Sequence, residues 1–521
     1  MVCLAYYWLF ITDYISFIVQ SFNGPAFYRR GFYYLPKFVL MKAENLYETV
    51  IGLEVHAQLL TATKLFCADT TAFGQEPNTQ VSTISLAHPG TLPKMNKEAI
   101  RLAITLGLAT NSEIVQQNYF ARKNYFYPDL PKGYQISQHT TPICKGGFVE
   151  ISVGNERRSV RLNRIHIEED AGKSIHNGTN QYTQLDFNRA GTALLEIVTE
   201  PDLRSPDEAA AFVTTLRKLV RHLGVCDGNM EEGSLRCDVN ISVRKKGDQK
   251  LGTKVEIKNL NSIRFIKKAI EHESSQLIQK LEHGETILQQ TKGLDDSSFT
   301  TYVIRTKEDE DDYRYFPEPD LPPFFISDEY ISEIRSTMPP LQTAIKEQII
   351  SDYQLPAYDA AQLAEDTELA NLFFAVTKET ENFKAVANWV IGPVKNYLAE
   401  EEKTVTDVHL KPSSIAELIN LIDQGVISYG IAAQRILPQL LRDPALIIRQ
   451  YIQEENLQMQ SGNETEAHID AALAKHAQKI TEYKKGKKGL LSLFVGEVMK
   501  LSKGKANAEE VTKRILEKIN Q

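Results

Sequence analysis

The chain has 521 residues, of which 42% are hydrophobic and 24% charged, and a formal net charge of −8. That length predicts roughly two to four domains, the composition excludes a disordered or fibrous chain, and the acidic balance excludes a surface that binds nucleic acid throughout. The five cysteines (Cys3, Cys67, Cys144, Cys226, Cys237) form no CxxC pair; they give no disulfide framework or zinc knuckle and fit a reducing compartment.

Residues 1–40 stand apart. Val2 to Val19 is apolar and aromatic with Asp13 as its only charge, and Arg29, Arg30 and Lys37 follow. A secretory signal carries its basic residues first, and these come after. The segment reads as an extension of doubtful status, a false start or dispensable leader before Met41. A marginal membrane anchor, at roughly 18 apolar residues, and an acid-poor transit peptide are the other readings. No membrane contact is expected of the folded part.

From Val50 to Gln58 the chain alternates with a period of two. Ile51, Leu53, Val55 and Ala57 share one face; Glu54, His56 and Gln58 share the other. The alternation returns in Arg164–Glu168, Asp238–Val243 and Lys254–Lys258, and Leu195–Val198 is a shorter apolar run carrying Glu196. Half-buried antiparallel strands have this pattern. Between them, Ser205-Pro-Asp-Glu208 is a capping box that opens a helix closed by Gly224, with Phe212, Val213, Leu216 and Val220 at core spacing. A second helix is predicted over 263–281. Prolines at 317, 319, 322 and 323 predict an irregular linker over 294–325. The remainder is helical, with a capping box at Ser414–Glu417, a boundary at Lys411-Pro412 and a last helix opened by Asn507. The expected fold class is α+β: an antiparallel-sheet domain over 41–300, a linker and helical domain over 301–410, and an all-α tail over 411–521.

The polar strand faces carry Glu54, His56, Glu168 and Glu196. Such faces are ordinarily just solvated. Glu196, however, interrupts an apolar strand, where an unpaired charge is costly. Several carboxylates on one face need a cation among them, and oxygen ligands with one imidazole suit Mg²⁺ or Mn²⁺ better than zinc. GxxxxGK[ST] and GxGxxG are absent, so any ATP would lie over the sheet and its metal. There is no GxSxG elbow, and the chain is not expected to form its own acyl-enzyme. Ala121–Tyr134 interleaves cations with aromatics, either to hold bases and phosphates or as a loop packed inward. Lys484, Lys485, Lys487, Lys488, Lys500, Lys503 and Lys505 form the one clear basic footprint for a phosphate backbone, against a plain solvated surface.

Tyr47–His56, Ala121–Gln135, Ile165–Lys173, Asp186–Gly191, Met230–Asp238, Glu256–Ser262 and Asp311–Asp320 together closely resemble the B-subunit family of the aspartyl/glutamyl-tRNA(Asn/Gln) amidotransferases. The resemblance runs from about Tyr47 to the end. It implies a glutamine synthetase-like cradle sheet, then a helical domain and a tail that holds tRNA. It further implies ATP-dependent activation of the side-chain carboxylate of Glu-tRNA(Gln) or Asp-tRNA(Asn) as an acyl phosphate. Ammonia from the glutaminase, or A, subunit then gives the amide, and the small C subunit braces a cytoplasmic heterotrimer. Carried over by motif, the magnesium ligands fall on Glu54, His56, Glu168 and Glu196, while Arg189, Arg236 and Lys258 are placed to neutralise phosphate. Some members hold zinc on CxC…CxxC; here those positions read Cys67, Asp69, Ser82 and Ser85, so no zinc is expected. The rival readings are a protein that presents tRNA without chemistry of its own, and a stand-alone ligase using free ammonia.

Overall fold

The computed structural model describes residues 46–154, 156–176, 182–306, 313–401, 403–408, 410–459 and 462–520. The extension over 1–40 lies outside the described residues. The chain divides into two compact units, Met1–Pro339 and Pro340–Gln521.

The first unit is built on a ten-stranded, mainly antiparallel sheet. Its strands and those covering it include β1 (Tyr47–Gln58), β2 (Ala121–Asn124), β3 (Tyr134–Ser137), β4 (Glu156–Glu169), β5 (Ala193–Thr199), β6 (Leu235–Lys245), β7 (Val255–Leu260), β8 (Gln290–Leu294), β9 (Thr301–Thr306) and β10 (Arg314–Pro317). The order β9-β8-β7-β6-β1-β5-β4, continued past β4 by the short strands Cys144–Lys145 and Glu113–Ile114, places β1 in the middle. Helix α1 spans Lys97–Ala109. Among the described strands of this sheet only β7 and β8 run parallel, and they need the crossover that helix α3 (Ile263–Glu282) supplies. The period of two decides which face is dry. Ile51, Leu53, Val55 and Ala57 are fully buried on the side covered by helices α2 (Pro206–His222) and α3. Phe212, Val213, Leu216 and Val220 of α2 complete that core, each contributing about 1.5–3 kcal/mol of burial. Ser205 caps α2 by accepting from the Glu208 amide at 3.1 Å, with Pro206 in its first turn. The opposite face of the sheet is polar.

The linker is more regular than its prolines predict. β9 continues the sheet, and β10 pairs with β2, which pairs with β3. Pro317 closes β10 at the strand's end, where a missing donor costs least. In the second unit one apolar core extends from Ile345 to Leu457, across Lys411-Pro412, and another is built from Ile469 to Ile519. The boundary expected at 411 therefore falls inside a continuous core. Among the described residues, no helix is long and apolar enough to cross a membrane.

Candidate active site on the polar face of the sheet

Strand register assembles the site. His56 in β1 stands opposite Glu196 in β5 and Arg236 in β6, and Glu196 stands opposite His166 in β4. Cross-strand neighbours on one face lie about 5 Å apart, so Arg236, His56, Glu196 and His166 form a row across four strands. One pleat along β1, Glu54 faces Asp238. These residues floor a cavity of about 590 Å³.

Two acidic groups share this floor. In the first, His56, Glu168 and Glu196 offer ligand atoms that all lie within 4.8 Å of one another. His56 Nε2 is 3.4 Å from Glu168 and 3.5 Å from Glu196. His166 Nε2 is 3.2 Å from Glu196 and 3.6 Å from Glu168, while its buried Nδ1 has no hydrogen-bond partner. Burial opposes charge on His166, yet the Glu196 and Glu168 carboxylates push its pKa up to about 9. Burial likewise opposes the Glu196 carboxylate, and the two imidazoles hold it well below the usual range. The electrostatics ask for positive charge at this point.

The second group is Glu54, Asp238 and Glu256. Burial and the neighbouring Glu196 lift the Glu54 carboxyl, against a 2.7 Å hydrogen bond donated by Asn240. Lys258 supplies the local cation, 3.1 Å from Glu256 and 3.4 Å from Asp238. The expected quartet is thus divided: Glu54 sits two residues from His56, a step of about 6.6 Å along a strand, and meets Asp238 and Glu256 instead. Among the described residues, the donor set of carboxylates with imidazole fits a hard divalent cation.

The flanking cations are apportioned too. Arg189 donates to Asp170 at 2.7 Å and to the Gly233 carbonyl at 3.3 Å, and it does not line the cavity. Arg236 lines the cavity while donating to both Asp170 oxygens at 3.1 Å. Burial would raise the Asp170 pKa, but Arg236 and Arg189 hold it down. The neighbouring acid Glu169 leaves the cavity altogether. Strand alternation turns it to the other side, where it accepts from Lys132 and from the Ile136 amide at 2.8 Å.

The cavity wall is aromatic and cationic. Tyr315 of β10 pairs in register with Lys123 of β2, His139 stacks on Tyr315 with centroids 4.0 Å apart, and the Lys123 ammonium lies 4.9 Å from the Tyr313 ring. Tyr125, Tyr127, Arg164 and Arg305 complete the wall, and Phe126 beside it is 88% exposed. The inward-packed reading of Ala121–Tyr134 therefore fails for Phe126. Sequence reasoning misses His166, Asp238, Glu256 and Asp170 as members of the site. The alternation puts His166 and Asp238 on polar faces, but their partners depend on register, which local sequence does not carry.

The basic footprint splits in space. Lys484, Lys485, Lys487 and Lys488 surround the turn before helix Leu490–Leu501, and Lys500, Lys503 and Lys505 lie at its far end. Twelve helical residues separate the two groups by about 18 Å.

Cys67, Asp69, Ser82 and Ser85 do converge, around Asp69. Its carboxylate accepts from the Ser85 hydroxyl at 2.6 Å and the Ser82 amide at 2.9 Å. Burial and Asp69 push the Cys67 thiol up to about 11, away from the thiolate form that ligates metals.

The chain matches the GatB/GatE catalytic domain over residues 49–332 and the GatB domain over 371–519. The B subunit of the aspartyl/glutamyl-tRNA(Asn/Gln) amidotransferase of Thermodesulfovibrio yellowstonii is 45% identical over 90% of this chain and 98% of that protein. The proteins of the same name from Geotalea daltonii and Bdellovibrio bacteriovorus are 46% and 44% identical over 91% of this chain and 99% of theirs. With its acidic floor inside the first match and most of its helical second unit inside the second, the chain belongs to the GatB/GatE family.

Proposed function

We propose that this chain is the B subunit of a glutamine-dependent tRNA amidotransferase working in the cytoplasm with glutaminase and bracing subunits. It uses ATP to activate the side-chain carboxylate of Glu-tRNA(Gln), Asp-tRNA(Asn) or both, and amidates it with ammonia. The observation that carries this reading is the acidic floor under a cationic, aromatic wall. Phosphoryl transfer to a carboxylate gathers anions, and only a site rich in fixed and exchangeable cations tolerates them. His56, Glu168 and Glu196 would hold a divalent ion, which neutralises phosphate and aligns donor with acceptor when bound.

Lys123, Arg164 and Arg236 line the same cavity and face the incoming phosphates. The substrate carboxylate oxygen attacks the γ-phosphorus, the bond to ADP breaks, and an acyl phosphate forms. Ammonia then attacks the acyl carbon, phosphate leaves, and the nitrogen sheds a proton to give the amide. The wall of Tyr125, Tyr313 and Tyr315 offers ring faces for a nucleobase and limits water at the reacting carbon. Hydrogen bonds around Asp69 support a Cys67–Ser85 loop that folds without zinc.

The test is ammonia-driven amidation of misacylated tRNA by the reconstituted complex. Glu168→Gln and Glu196→Gln should each cost about a hundredfold or more, since lost transition-state charge stabilisation is worth several kcal/mol. Unchanged ATP consumption and amide formation in both variants would leave only a tRNA-presenting role.

A further inference from the structure

The second unit contains a cleft of about 430 Å³ lined by Tyr358, Gln362, Asn388, Ile391, Gly392 and Tyr429, which lies within the size range of small-molecule sites. Tyr358 is 74% exposed and Tyr429 49% exposed, so both rings of this concave surface reach solvent. Tyr358 and Gln362 lie four residues apart on helix Ala357–Ala364 and share a face. Asn388 comes from helix Phe383–Trp389, and Ile391 and Gly392 from the π-helical turn Val390–Val394. Pro393 lacks the donor a regular turn needs, and the widened turn leaves open space at Gly392, where a Cβ would meet nothing within 4 Å. Tyr429 is anchored edge-on against buried Trp389, with centroids 5.3 Å apart.

Two carboxamides line the cleft. The Gln362 carbonyl oxygen accepts from Lys395 at 3.2 Å, which leaves its amide hydrogens to donate elsewhere. The Asn388 carboxamide is exposed. Exposed ring faces beside carboxamides are the means by which proteins hold an unpaired base, stacking on its face and bonding its edge. A backbone site lies beside the cleft. Ser428, next to Tyr429, donates to the Gly504 carbonyl at 2.6 Å, and Gly504 stands between Lys503 and Lys505. Gly504 turns at φ +79°, and its Cβ position faces Ile431 at 3.7 Å. The lysine-bearing turn and the aromatic cleft are thus fastened together.

Resting on the tRNA reading above, we propose that this cleft receives an unpaired base of the tRNA whose phosphates the Lys500–Lys505 turn holds. The two contacts have different salt signatures: lysines displace counterions, and stacking does not.

The experiment measures the Kd of the full chain for a tRNA(Gln) transcript at several salt concentrations. Tyr358→Ala should weaken binding roughly tenfold, the low-to-middle range for one stacked base, with the salt slope unchanged. Tyr358→Phe should restore binding. Lys503→Ala with Lys505→Ala should flatten the slope by about 0.9 per lost phosphate contact. In the reconstituted complex Tyr358→Ala should raise the KM for tRNA and leave kcat intact. Tyr358 is exposed, so its variants test the cleft without risk to the core; Tyr429→Phe checks the anchored ring. If Tyr358→Ala binds within twofold of the parent, or loses a partner protein instead of tRNA, the cleft proposal is overturned. If the parent chain itself fails to bind tRNA, the proposed function falls with it.

Discussion

The cavity floor and the Cys67–Ser85 loop both gather acid among polar neighbours, and they satisfy it in opposite ways. On the floor, Glu168 and Glu196 lie beside one another and are answered by two imidazoles, His56 and His166, while Lys258 answers Asp238 in the neighbouring group. In the loop, one carboxylate, Asp69, receives neutral donors from Ser82 and Ser85, and buried Lys64 stands 3.9 Å away. A single acid surrounded by hydroxyl and amide donors is complete. Several acids around imidazoles are complete only with protons or a metal ion, and that unsatisfied condition marks the floor as the place where anions are handled.

Three measurements bear on this contrast. Adding Mn²⁺ at about 100 times its dissociation constant should stabilise the protein by about 2.7 kcal/mol, seen as a higher Tm. Glu196→Gln should abolish the gain, and Asp69→Asn should leave it intact. A gain that survived Glu196→Gln would place the ion elsewhere. Next in size, Lys258→Met removes the ammonium that lies 3.1 Å from Glu256 and 3.4 Å from Asp238. It should cost about 2 kcal/mol in urea unfolding, the scale of a charged hydrogen bond at a partly exposed site. Full parental stability would show that another group answers these acids.

The smallest effect belongs to the loop. Burial works against the Asp69 carboxylate, but the Ser85, Cys67 and Ser82 hydrogen bonds hold its pKa below the usual value. A depressed carboxylate stabilises above its unfolded pKa, near 3.9, and loses that contribution as the pH falls through the folded value. Amide-exchange protection at Ser82 should therefore drop by about 1 kcal/mol in acid, while the parental loop stays indifferent to chelators at neutral pH. Loss of that protection in chelator at pH 7 would reveal a structural metal after all.

Much of the fold is legible in the sequence because period-two alternation and capping boxes are local signals. β1 and α2 follow from residues within one turn or two pleats of each other. The composition of the floor is less legible. That Glu54 turns to Asp238 and Glu256, and that His166 joins His56, follows from cross-strand register, a relation between segments more than a hundred residues apart. Arg189 reads as a phosphate ligand because its motif is rich in function, yet the same stretch is also structural. Asp186 and Asn188 accept from the Asn78 and Gln80 amides at 3.0 and 2.9 Å, pinning the loop. The prolines of the linker conceal β10, because a strand that ends at a proline looks like no strand at all.

The three successive acids Glu168, Glu169 and Asp170 have three separate destinations: the histidines, Lys132 and the paired arginines. Only the pleat keeps them apart. Inserting or deleting one residue between Leu162 and Ile167 would exchange their addresses at a stroke, so the length of this stretch is as fixed as the side chains of the site it feeds.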